Sequence, residues 1–143
     1  MKALRLFTFV PMTLVISLLL TEANLAQKST VQINRSFKPD PLVLAGMSGG
    51  SVESNCGNVT AVPNEVIQVT ESLPYLRLTV ESQGQPTLLI DGPGGRFCVL
   101  ADKYSGSKPE VSGYWQAGKY LLFVGNSQGR QYSYKLSISQ QRE

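Results

Sequence analysis

Three observations predict an all-β fold built as a two-layer sandwich. Gln131 to Ser139 alternates without a break: Tyr132, Tyr134, Leu136 and Ile138 on one side, Ser133, Lys135, Ser137 and Ser139 on the other. Period two over this length marks a strand with one face buried. Gly118 to Gly125 is instead apolar on both faces, as a central strand would be. Finally, short apolar segments recur along the chain with turn residues between them, at the spacing of roughly 8–12 residues typical of all-β sandwiches. No segment beyond the N-terminal leader has helical periodicity. With Asn126-Ser127-Gln128-Gly129 as turn material, the two C-terminal segments read as a β-hairpin on which the earlier strands pack.

The chain has 143 residues, enough for one domain with a real core. Its start has the three-part layout of a secretory signal peptide. Lys2 and Arg5 precede an almost wholly apolar run from Leu6 to Leu20, and small residues follow at Ala23 and Ala26. Residues 1–26 are therefore read as a leader cut after Ala26, with Ala23 as the alternative. A retained membrane anchor is the competing reading. It is disfavoured because the run falls short of the roughly 20 residues of a spanning helix and Pro11 interrupts it.

Residues 27–41 are polar and aperiodic and read as a tether or loosely docked segment. The domain proper is expected over 42–140. Leu42 to Ala45 forms a first strand, ended by the Gly49-Gly50 turn. That glycine pair lacks the spacing and the following helix of a phosphate-binding loop. Glu65 to Thr70 is a strand, Leu73-Pro74 a turn, and Tyr75 to Glu81 alternates cleanly. Thr87 to Ile90 is the next strand, ended by Asp91-Gly-Pro-Gly-Gly95, a density of Gly and Pro that demands a sharp reversal. Arg96 to Leu100 and Glu110 to Tyr114 are strands on either side of a polar loop. The closing pair brings the total to about eight short strands.

Removing Lys2, Arg5 and Glu22 from 13 basic and 10 acidic residues leaves 11 and 9, a net charge of +2. The basic residues are scattered, so a nucleic-acid footprint is absent. Cys56 and Cys98 are an even pair in an exported chain and read as one disulfide, two buried free thiols being the alternative. A bond closing a loop of 42 residues is worth about 4 kcal/mol in the chain-entropy treatment.

The chain contains no His. This removes the usual general base and the Ser-His-Asp and Cys-His arrangements. Glu53, Glu65, Glu71, Glu81, Asp91, Asp102 and Glu110 fall at strand ends, turns or outward positions and read as solvated charges rather than a glycosidase pair. An enzyme is not expected, nor is a cofactor. The binding candidates are aromatic: Tyr104 in the polar loop, and Tyr114-Trp115 at a strand end. Adjacent strand residues face opposite ways, so one of the last two points outward. An exposed Tyr or Trp can stack on a sugar ring or a peptide. In the competing reading Trp115 plugs the open end of the sandwich. Tyr120, Tyr132 and Tyr134 read as core.

Five segments together, Val66 to Val69, Leu76 to Val80, Thr87 to Pro93, Ala117 to Val124 and Tyr134 to Ile138, resemble the bacterial pre-peptidase C-terminal domain. With Cys56-Gly57 and Cys98, they are most similar to its small stand-alone form exported by cyanobacteria. The resemblance covers roughly Leu42 to Ser139. It implies a jelly-roll-like antiparallel β-sandwich of the kind appended to secreted enzymes, where it assists secretion, binds matrix or polysaccharide, or packs on the catalytic unit. Some members bind calcium through acids near the strand that Thr87 to Asp91 matches. Here Gln85-Pro86-Thr87 replaces the acid, and Asp102 stands where a pair of acids is usual. Asp91 and Asp102 are thin for an ion that takes six to eight oxygens, so no metal is expected. The expected partners are polysaccharide or another exported protein, in the periplasm or outside the cell, with no stable membrane insertion once the leader is removed. Thiol titration of the denatured chain without reductant is expected to find no free thiol; two would establish the unbridged alternative.

Overall fold

The structure, a computed structural model, describes residues 29–102 and 106–142. The leader read over 1–26 and the candidate Tyr104 lie outside them. The described residues form eleven strands and no helix: β1 (Val31–Ile33), β2 (Leu42–Met47), β3 (Val52–Ser54), β4 (Gly57–Val59), β5 (Glu65–Val69), β6 (Leu73–Ser82), β7 (Pro86–Gly92), β8 (Gly95–Leu100), β9 (Glu110–Trp115), β10 (Gly118–Asn126) and β11 (Ser133–Ser139). Eight match the expected set. The other three, β1, β3 and β4, have three residues each, too few for alternation to show in sequence.

The strands make two sheets, one of seven strands and one of four, the latter ordered β2-β11-β6-β9. In the larger sheet β10 is the hub. One of its edges pairs with β5 over Gly118–Leu122 and then with β4 at Asn126; the other pairs with β7 over Leu121–Asn126. Beyond these lie β1, β3 and β8 as outer strands. All pairings between strands are antiparallel except β1 with β5. The alternating residues of both sheets meet in one core, including Ile67, Leu78, Leu88, Leu122, Leu136 and Ile138, all with no exposed surface.

Several expectations are corrected, among them the Leu73-Pro74 turn, which is the start of β6. The C-terminal strands are not a hairpin: β10 belongs to the large sheet, whereas β11 pairs with β2 and β6 in the small one. Alternation tells which face of a strand is buried but not which strand lies beside it. The linker of residues 127–132 reaches about 20 Å when extended, ample to cross the roughly 10 Å between stacked sheets. Nor is the N-terminal segment a tether. β1 pairs in parallel with β5, Ile33 is fully buried, and Phe37 docks on the core. Asp40 then accepts hydrogen bonds from Ser139 Oγ at 2.6 Å and the Gln140 amide at 3.1 Å.

The large sheet is covered on its outer face too. Cys56, Val59, Leu89 and Phe123 form a second apolar cluster there, with Cys98 and Leu121 against it. Cys56 and Cys98 are joined as a disulfide. Thr87 Oγ1 donates to the Cys56 carbonyl at 2.5 Å, fixing the same segment.

Glu65 also differs from expectation: it is buried, not solvated. It sits at the head of β5 on the face that continues through Ile67 and Val69. Tyr134 Oη, on the opposite sheet, donates to Glu65 Oε1 at 2.6 Å. Gly46 lies beside Tyr134 on β2, and any side chain there would strike the phenol ring. Asn64 bridges the same end of the sandwich, its Nδ2 donating to the Met47 carbonyl at 3.0 Å and its Oδ1 accepting from the Val124 amide at 2.8 Å. Burial, then the hydrogen bond to Glu65, pushes the Tyr134 phenol far above its ordinary value. An unfolded tyrosine ionises near pH 10, so this group's contribution to stability is complete below that pH and is lost as pH rises beyond it. Tyr134→Phe is expected to cost about 1–3 kcal/mol at neutral pH and to flatten the loss of stability above pH 10, as read from denaturant melts at both pH values.

Candidate functional site

The two sheets do not close along every side. Among the described residues β8 pairs only with β7, and β9 only with β6, so one edge of each sheet faces the other across a seam. Phe97 on β8 stands directly opposite Ile90 on β7. Paired residues share a face, and Ile90 is fully buried, so Phe97 points inward. It is nevertheless 45% exposed. Gly113 of β9, which lines the same gap, contributes no side chain to cover it.

The result is a slot of about 270 Å³ between the two edges. Trp115 and Tyr120 line it, together with Phe97 and Val111 from the two edge strands, Gly94, Gly95 and Gly113 from backbone, and Ser112, Tyr114 and Gln116. Trp115 and Tyr120 are themselves buried and lie with ring centroids 4.7 Å apart, tilted by 56°. Tyr120 is held from two sides. Its Oη donates to the Gln116 carbonyl at 2.7 Å, and its ring lies over Gly92, where any Cβ would collide with it. Burial pushes the Tyr120 phenol above its ordinary value.

The sequence candidates separate accordingly. Trp115 is only 5% exposed and belongs to the core, so it forms the floor and is not a free stacking platform. Tyr114, its neighbour on β9, is 67% exposed and stands at the slot. Phe97, Tyr120 and the glycines are additions. The Arg96–Leu100 alternation puts Phe97 on the inward face, but only the sheet order shows that this face is left open. None of the ten lining residues carries a charge.

Of the proposed calcium ligands, Asp91 is engaged by Arg96 Nη2 at 3.1 Å. Asp102, beyond the end of β8, makes its own polar contact. No group of three or more metal-ligating side chains forms among the described residues. Glu81 is held below the usual carboxylate range by its hydrogen bond and ion pair with Lys108 at 2.6 Å, and Arg77 faces Glu110 at 3.8 Å. Both pairs lie across the outer face of the small sheet.

No family model matches the sequence. An uncharacterized protein of the cyanobacterium Synechococcus elongatus is 40% identical over 120 residues, 81% of this chain and 86% of that protein. Among solved structures, the pre-peptidase C-terminal domain of a collagenase from Bacillus anthracis matches with a TM-score of 0.51 at 15% identity, over 79% of this chain and 97% of the domain. A periplasmic inhibitor of g-type lysozyme from Aeromonas hydrophila matches with a TM-score of 0.43 at 17% identity, over 80% of this chain and all of that one. The collagenase domain shows that the fold implied by the strand motifs is the fold present. Trp115→Ala is expected to destabilise the chain by about 3–5 kcal/mol, and Tyr114→Ala to stay within about 0.5 kcal/mol; equal losses in denaturant melts would put both rings in the core.

Proposed function

This chain belongs to one family with the Synechococcus elongatus protein, and we propose that it is a non-catalytic, exported β-sandwich module that binds polysaccharide of the envelope or matrix in the slot between β8 and β9. The observation that carries this reading is Phe97, an inward-facing aromatic left exposed over a floor of Trp115 and Tyr120. Leaving nearly half of such a ring in water forgoes about 1 kcal/mol of burial, which a bound ligand recovers. A few aromatic surfaces with polar groups at the rim are the usual furniture of a small-ligand site.

The reactive groups are accounted for elsewhere. Both cysteines are in the disulfide, and Glu65 lies under Tyr134 in the interior. The chain has no His. Export is supported by the leader read in the sequence and by the disulfide, since such bonds persist in oxidising compartments.

A second reading, docking on another exported protein, is favoured by one feature. β2 is an open edge of the small sheet with Val43 and Met47 exposed and no charge between Leu42 and Met47. Uncharged edges are templates for strand pairing. Pull-down of the exported chain on insoluble polysaccharides tests both readings. Retention is expected to fall about 2–10-fold in Tyr114→Ala, the worth of one aromatic contact, and to be indifferent to Val43→Lys. Loss of a co-purifying protein with Val43→Lys, without retention on any polysaccharide, would establish docking instead.

A further inference from the structure

Resting on the polysaccharide reading, we infer that the slot is a subsite for one uncharged sugar ring of the pyranose type and that it rejects uronic and sulfated sugars. Size sets the first part. About 270 Å³ falls just short of the roughly 300–1,000 Å³ of sites for larger organic ligands, so the slot seats a ring, with the rest of the glycan leaving through the open side of the seam.

Electrostatics sets the second part. The slot has aromatic walls and no cation among the described residues that line it. An anionic group placed there would be stripped of water without a partner, which is costly. A ring bearing only hydroxyls meets no such penalty. Its C–H face can lie on Phe97, and polar atoms of Ser112, Tyr114 and Gln116 border the same slot. The backbone at Gly94, Gly95 and Gly113 is also accessible, because nothing lies within 4 Å of where a side chain would stand at any of them.

The same glycines argue against an extended peptide in the slot. Strand addition needs a regular edge whose backbone groups alternate. Gly95 on β8 has φ +105° and Gly113 on β9 has φ +139°, so each edge leaves the β conformation where it borders the slot. A ligand bonded through hydroxyls needs no continuous ladder.

The test uses the exported full chain, isotopically labelled, titrated with neutral disaccharides of glucose, galactose, mannose, xylose and N-acetylglucosamine, and with digalacturonate and a sulfated disaccharide. At least one neutral sugar is expected to shift the Tyr114 and Gln116 resonances, binding ten-fold or more tighter than either anionic sugar. Gly94→Phe fills the mouth of the slot from a position with free space and no left-handed backbone. It is expected to weaken neutral binding at least ten-fold while leaving the melting midpoint in place. Tyr114→Ala is the second variant should Gly94→Phe not fold. Tighter binding of the anionic sugars would overturn this inference and leave the polysaccharide reading standing. Neutral binding untouched by both variants would place the ring elsewhere and overturn it. Binding of no sugar at all would overturn both.

Discussion

The rest of the structure depends on β10 being buried on both faces. Its inward residues, Leu122 and Val124 among them, meet the small sheet across the core, and its outward Phe123 is sealed beneath the Cys56–Val59 segment. From Leu122 to Asn126 the strand has no solvent face on which to vary, and it sets the register of β5, β4 and β7 together. Shifting it by one residue would exchange the two faces and turn Tyr120 and Leu122 away from the core. The same register places Tyr120 against Gly92 and Trp115, so the floor of the slot is fixed by the strand that fixes the fold.

The slot itself follows from how two sheets of unequal width share that core. Among the described residues the larger sheet ends in β8 and the smaller in β9, and beside Phe97 the β9 edge offers the bare backbone of Gly113. Val99 still finds the core, while Phe97, two residues back on the same face, does not. At the opposite end the layers are tied by polar groups, with Tyr134 on Glu65 and Asn64 between Met47 and Val124. One end is thus bonded across the layers, and one side is left open between two aromatic walls.

Much of this was legible in the sequence, and the failures have physical causes. The two-faced apolar character of Gly118–Gly125 announced a doubly covered strand, and the alternation of Tyr134, Leu136 and Ile138 announced a half-buried one. Their neighbours were not legible, because period two fixes a face and is silent on partners. The burial of Glu65 is not legible, because a carboxylate is rarely buried unless partnered, and its partner Tyr134 lies 69 residues away. The Tyr114-Trp115 pair carried the correct statement that one ring faces out. Which one does so depends on the pairing of Leu73 with Trp115 and of Leu76 with Gly113 across an irregular β6–β9 register. Phe97 drew no attention because an inward residue on a predicted strand reads as core; only the order of strands reveals an uncovered edge.

The sulfur link bears on where the chain can be handled. The segment it fastens carries two three-residue strands, β3 and β4, of which β4 meets β10 at a single register position and β3 lies beyond it. Without the crosslink, Leu89 and Phe123 depend for their cover on those short strands and the Thr87 contact. A copy retained among cytosolic reductants would therefore present a greasy patch, the kind of surface that chaperones and proteases seize. The crosslinked fold is therefore one suited to an oxidising compartment, where such a bond persists.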